Sequence, residues 1–216
     1  MARVGLLGGT FNPPHMAHLV CAQEALVQLG LDRVLFVPAG VPPHKEVEGD
    51  PGIAHRVAMC EAAVADDERF GVSRVDAERA GPAYTVDLLR ALRAAAPSDE
   101  LNFIVGGDVA HSLPAWREPG EVLALARLAV AEREGVRRAD IAESLARLSG
   151  AAERVDFFDM PRLDISSSML RRRAAAGGPL RYLVPDAVAA YITRERLYTT
   201  RQPASSGGRL SLEGSA

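Results

Sequence analysis

Residues 3 to 18, RVGLLGGTFNPPHMAH, constrain the fold of this chain more than any other stretch. An apolar run from Val4 to Leu7 stops at Gly8-Gly9, passes through a Pro13-Pro14 turn and delivers His15 and His18 to an apolar-periodic segment. In that segment Leu19, Val20, Ala22, Ala25, Leu26 and Leu29 recur at helical spacing, and Gly30 is the stop signal. The pattern is a strand, a glycine turn and a helix N-terminus. Backbone N–H groups at such a turn, with the positive end of the helix dipole, offer donors to phosphate oxygens at little reorganisation cost. Two imidazoles three residues apart project from the same side of the helix. A nucleotide-phosphate site is predicted, and since the turn has neither GxGxxG nor GxxxxGK[ST], its histidines rather than a lysine must meet the phosphates.

The following segments fit around that unit. Val34 to Val37, closed by Pro38, is apolar on both faces, as in a parallel sheet covered by helices on each side. GVPPHKEVEGDPG then runs for about a dozen residues without periodicity, a length that marks functional or disordered connections. Helical spacing resumes at Ile53 and continues through Val57, Ala58, Glu61 and Val64 to near Asp67; FGVSRVD reads as a strand. Thr85 opens and Pro97 closes a helix, and LNFIVGGD is an apolar strand ending in a second glycine pair. HSLPAWREPGEVLALA passes from loop to helix, RLAVAER is a strand, ADIAESLARLSG a helix and ERVDFFDMP the last strand. Roughly six strands alternating with helices predict an α/β fold, a Rossmann-like doubly wound parallel sheet. Ligands in such sheets sit outside the strand carboxyl ends where strand order reverses. Gly8-Gly9 and Gly106-Gly107 are therefore candidates for two lips of one crevice.

After Pro161 the hydroxyl cluster Ser166 to Ser168 starts a short helix carrying Arg171, Arg172 and Arg173, and Pro185 opens another. Hydroxyls and a guanidinium at a helix start make a second anion site. Residues 1–199 are thus expected to form one domain, with 161–199 a small helical C-terminal part, and the polar residues 200–216 a disordered tail. A chain of 216 residues with 48% hydrophobic content can bury a full core. A net charge of -3 supplies no global basic field, so nucleic acid is not an expected partner, though it leaves room for a local cationic pocket for a small anion. Cys21 and Cys60 both fall in helical segments and read as buried thiols of a reducing cytoplasm. The N-terminus runs straight into a strand, and no apolar run approaches the roughly 20 residues that span a bilayer, so neither export nor a membrane is expected.

GGTFNPPHMAH, VPAGVPPHK, His55-Arg56, GPAYTVDLL, FIVGGD followed by LPAW, and ISSSMLRRR followed by YLVPDAVAAYI occur in that order. Together, over residues 3 to 199, they resemble the bacterial nicotinate mononucleotide adenylyltransferases of the nucleotidyltransferase superfamily, marked by an HxGH or TxGH element after the first strand and a late ISSTxxR-type element. The resemblance implies transfer of the adenylyl group of ATP to nicotinate mononucleotide, giving nicotinate adenine dinucleotide and pyrophosphate in NAD biosynthesis, with Mg²⁺ and by direct in-line attack. It implies that His15, His18 and Arg171 are catalytic, with Gly8, Gly9, Thr10, Phe11, Gly106, Asp108, Ser166 and Ser167 completing the ATP site. Ser167 and Arg171 would hold the β- and γ-phosphates, and Asp108 a ribose hydroxyl or the hydrated Mg²⁺. Lys45, Tyr84, Thr85 and Trp116 would bind nicotinate mononucleotide: Lys45 as a point charge, Thr85 and nearby N–H groups at the carboxylate, Trp116 stacked on the pyridinium ring. No side-chain metal ligands are assigned; Mg²⁺ travels with the phosphates. A homo-oligomer is compatible with the sequence.

Three positions depart from the family pattern. Ala17 stands where glycine is usual, which bears on how closely adenosine packs; Asn12 stands where aspartate is common, and Ser168 keeps the hydroxyl of the usual threonine. Ordinary readings also exist: the serines and Thr85 as helix caps, the arginines as a solvated face, Trp116 as core, Asp108 as a helix-start acid, Lys45 and Arg56 as structural. A zinc pair at His15 and His18 would need further ligands that the sequence does not cluster. The alternatives in function are transfer to another phosphorylated acceptor such as nicotinamide mononucleotide or phosphopantetheine, a non-catalytic nucleotide sensor of the same fold, and a zinc hydrolase.

Overall fold

A computed structural model describes residues 1–41, 49–132, 137–148 and 150–199. The chain runs β1 (Arg3–Gly9), α1 (Met16–Gln28), β2 (Arg33–Pro38), α2 (Ile53–Val64), β3 (Phe70–Val72), α3 (Val75–Glu78) and α4 (Thr85–Ala95). It continues through β4 (Glu100–Gly106), α5 (Gly107–His111), α6 (Pro119–Leu125), β5 (Arg127–Glu132), α7 (Arg138–Leu145), β6 (Val155–Asp159), α8 (Ser167–Ala175) and α9 (Asp186–Arg194). The six strands form one sheet in the order β3-β2-β1-β4-β5-β6, every pair parallel. This is the doubly wound α/β sheet expected from the alternation of elements.

Strand alternation sorts the core into two layers. Val4 and Leu6 of β1 face a cluster with Phe103, Val105 and Leu128, closed by Val86 and Leu89 of α4 and Val122 of α6. Leu7 faces the other cluster with Phe36 and Ile104, covered by Ala22 and Ala25 of α1, Met59 and Cys60 of α2, Leu170 of α8 and Val188 of α9. At Gly5 a β-carbon would lie 2.9 Å from both Leu31 and Val34 side chains, so the segment after α1 and the neighbouring strand β2 pack directly on β1. Strand order reverses between β1 and β4, which brings the carboxyl ends at Gly8-Gly9 and Gly106 side by side.

Several boundaries differ from the sequence reading. α1 begins at Met16 rather than His18, with His15 as its N-cap. The strand read over FGVSRVD ends at Val72, and Val75–Glu78 is helical. Alternation does not register why: the Asp76 carboxylate is turned inward, where it accepts the Gly40 N–H at 3.0 Å and Arg79 Nη2 at 3.0 Å. GGDVAH, read as strand end and loop, forms α5 from Gly107, followed by a 3-10 turn over Leu113–Ala115. The expectations for Lys45 and for residues 200–216 lie outside the described residues. Among the described residues no helix is long and apolar enough to cross a membrane.

Candidate nucleotide site

Between β1 and α1 the Asn12–Pro13 peptide is cis and His15 enters the helix from an extended conformation. The His15 N–H donates to His18 Nδ1 at 3.2 Å, and the two rings stack with centroids 3.7 Å apart. Because Nδ1 of His18 accepts, the ring N–H of His18 is assigned to Nε2. His15 is buried, and desolvation lowers its pKa to about 4, so at neutral pH it is an uncharged imidazole. Its Nδ1 has no hydrogen-bond partner among the described residues. The helix amides are partly committed: Met16 N–H goes to Leu183 O at 3.0 Å and His18 N–H to His15 O at 2.8 Å. Two of the amides of this turn are thus taken up within the protein.

A cavity of about 700 Å³ opens at the strand ends, lined by Gly8, His15, Ala17, His18, Gly106, Asp108, Ser166 and Ser167 among others. Residues 160–165 supply the facing wall, including Arg162 and Asp164, a contribution the sequence does not announce because the stretch has no periodicity. Ala17 is part of the lining, so its methyl group bears on whatever fills this space. Ser166 Oγ accepts the Met169 N–H at 3.3 Å, the ordinary cap of α8. Ser167 Oγ donates to Pro13 O at 2.8 Å, and Arg171 Nη1 to Asn12 O at 2.9 Å, so the start of α8 is laced to the β1–α1 turn. Arg171 is thereby seated behind the turn and does not itself line the cavity. Thr10 and Phe11 also stand outside the lining: Thr10 O accepts Arg56 Nη1 at 3.0 Å, and Phe11 is buried with its ring edge against His18 at 5.0 Å.

A smaller hollow of about 200 Å³ lies across Gly8, lined by Gly9, Ala39, Tyr84, Thr85, Phe103 and Trp116. Gly8, Val105 and Val109 line both. Trp116 is half-buried, edge-on to Phe103 at 6.2 Å, with Nε1 donating to Ser112 Oγ at 3.1 Å. It is thus both packed on the core and presented to the hollow. Tyr84, rather than Thr85, is the N-cap residue of α4, and its ring lies 4.8 Å beneath the Arg117 guanidinium.

Arg56, which the sequence reading allows as structural, organises the connections around the site. Ile53, Arg56, Val57, Cys60 and Val64 share one face of α2, and Arg56 occupies a core-facing place in that stripe. It is 1% exposed. Its guanidinium donates to Ala39 O at 2.7 Å, Thr10 O and Gly40 O at 3.0 Å, and pairs with Asp50 at 3.1 Å. Gly40 in turn passes so close to α3 that a β-carbon there would lie 2.5 Å from Asp76 O. Arg56 therefore fixes the connections after both β1 and β2. Among the described residues no three His, Cys, Asp or Glu side chains converge as a metal site.

A family model described as cytidylyltransferase-like matches residues 6–173. A probable nicotinate-nucleotide adenylyltransferase of Thermomicrobium roseum is 44% identical over 200 residues, covering 93% of each chain. One of Symbiobacterium thermophilum is 44% identical over 202 residues, covering 92% of this chain and 96% of its own. Among solved structures, the Plasmodium falciparum nicotinic acid mononucleotide adenylyltransferase complexed with NaAD superposes with a TM-score of 0.73 at 17% identity, covering 92% of this chain and 98% of that one. At that identity the likeness speaks for the fold.

Proposed function

The chain belongs to the cytidylyltransferase-like family, among its nicotinate-nucleotide adenylyltransferases, and from that premise we propose that it transfers the adenylyl group of ATP to nicotinate mononucleotide in NAD biosynthesis. The observation that carries the reading is the pair of hollows meeting at Gly8: a large one bearing stacked imidazoles and helix-start hydroxyls, and a small one lined by aromatic rings. ATP fits the first in chemistry and size, and a pyridine nucleotide the second. The acceptor's phosphate oxygen attacks the α-phosphorus, the new P–O bond forms as the α–β bridge breaks, and pyrophosphate leaves with the electron pair. Two anions must be brought together and the departing charge stabilised, so positioning and preorganised donors dominate. His18 donates from Nε2, and neutral His15 adds a second N–H without bringing a charge that the stacked ring would oppose. That the hollows share Gly8 supports direct transfer between the two substrates without a protein nucleophile.

The donor set suits Mg²⁺ carried by the triphosphate: Asp108 and Asp164 are carboxylates in the lining, and an ion that keeps several waters needs only one or two. These carboxylates would hold the hydrated ion, which would supply charge neutralisation at the phosphates. The protein then acts in the cytoplasm on small molecules alone.

The test is a panel of acceptors at equal concentration with ATP and Mg²⁺, read out as pyrophosphate. Nicotinate mononucleotide should support the fastest release. Faster release with nicotinamide mononucleotide or phosphopantetheine would reassign the acceptor, and ATP binding without product from any acceptor would make the protein a nucleotide sensor.

A further inference from the structure

The last described residues reach back into the turn that bears the histidines. Beyond α9, Leu197 N–H closes onto Ile192 O at 3.0 Å, and Arg196 and Tyr198 both adopt positive φ, 52° and 62°. Residues with side chains persist in that region only where their surroundings hold them. The Tyr198 hydroxyl donates to Asn12 Oδ1 at 2.5 Å and contacts Met59 Sδ at 3.8 Å, at a depth where Asn12 is 1% exposed. Asn12 is also the residue whose carbonyl seats Arg171 Nη1 at 2.9 Å, and its Nδ2 donates to Gly49 O at 3.5 Å. Its amide orientation is set on both sides, by a phenol that donates to the oxygen and a carbonyl that accepts from the nitrogen. One buried side chain thus joins the β1–α1 turn, the segment before α2 and the segment after α9, while its own backbone carries α8.

We propose that Tyr198 is a positioning residue for the triphosphate end of the site: by holding Asn12 it fixes the carbonyl on which Arg171 is seated, and with it the angle at which α8 presents Ser167 to the cavity. The inference rests on the reading of the larger cavity as the ATP site. Burial raises the phenol pKa, so the hydroxyl keeps its proton and its role as donor across the working pH range. Neither periodicity nor a motif marks this residue, because its partner lies 186 positions earlier.

Tyr198→Phe removes the hydroxyl and keeps the ring. The dissociation constant for α,β-methylene ATP and the KM for ATP should both rise roughly fivefold, the scale of one lost hydrogen bond, while the KM for nicotinate mononucleotide stays put. In an Arg171→Ala background the same substitution should weaken analogue binding no further, since the effect runs through the Arg171 seat. Met59→Leu, which removes the sulfur contact but not the Asn12 bond, should bind the analogue as the wild type does. The positioning role is overturned by wild-type analogue affinity in Tyr198→Phe, by full additivity with Arg171→Ala, or by an equal loss in Met59→Leu. A wild-type protein that neither binds the analogue nor releases pyrophosphate would overturn the ATP-site reading itself, a separate result.

Discussion

The two hollows that meet at Gly8 are assembled by different physics. The larger is closed by contacts between distant segments: Ser167 to Pro13 across 154 positions, Arg171 to Asn12 across 159, and Met16 to Leu183. The smaller is lined by Phe103 of β4 and by Tyr84 and Trp116, which precede and follow that strand and pack against the same core layer. A triphosphate needs donors aimed in three dimensions, and aiming them requires chain from several directions. A flat pyridine ring needs only apolar surface of the right width, which neighbouring connections supply. Substitutions on the two sides should therefore separate the kinetics of the two substrates.

The largest separation is expected from His18→Ala. Loss of an N–H donor to developing phosphate charge should lower kcat/KM for ATP by about 10²–10³, with the KM for nicotinate mononucleotide nearly unchanged. Initial-rate kinetics with each substrate varied in turn checks this, and a preserved kcat would remove His18 from the phosphates.

Arg56→Met should blur the distinction instead. Its carbonyl partners belong to the histidine turn at Thr10 and to the small hollow at Ala39, so both KM values should rise together. Breaking a buried charged group away from several acceptors costs about 3–5 kcal/mol of unfolding free energy, measurable by urea titration. A destabilised variant in which only one KM moves would show that the clamp serves one side.

The third expectation concerns His15 and pH. Its pKa is about 4 in the fold against 6.5 for a free imidazole, and the cause is desolvation by burial. The unfolded chain therefore takes up the proton first as pH falls. Stability from keeping this ring neutral is whole above pH 6.5, declines as pH is lowered and is gone below about 4, an effect of at most about 3 kcal/mol. Denaturation curves between pH 4 and 7 should be steeper in pH for the wild type than for His15→Gln; equal slopes would place the titration elsewhere.

The contrast between the hollows also explains what the sequence made legible. Strand–glycine–helix patterning located β1, the crevice and the histidine pair, because each is a local signal with a fixed period. The serine cluster could be read as a helix start, and Ser166 is the cap that reading describes. What periodicity could not supply was pairing across long separations: the Asp76 carboxylate that ends β3 early by serving Gly40, the wall from residues 160–165, and Tyr198. Arg56 lay between these cases. A structural role for it is among the sequence readings, but three of its partners are backbone carbonyls, which leave no trace in a sequence.

The smallest effect should come from Trp116, and it is the sharpest test of the comparison. The indole already rests on Phe103 and donates to Ser112, so it is held in place before any ligand arrives and loses little freedom on stacking. An exposed face against a cationic pyridinium contributes about 1 kcal/mol. Trp116→Ala should therefore raise the KM for nicotinate mononucleotide roughly fivefold and leave that for ATP unchanged, and Trp116→Phe should recover part of the loss through the remaining ring. If the ATP constant moved instead, the aromatic hollow would be packing support for the wall at Val105 and Val109, which the two hollows share, and not a surface for the second substrate.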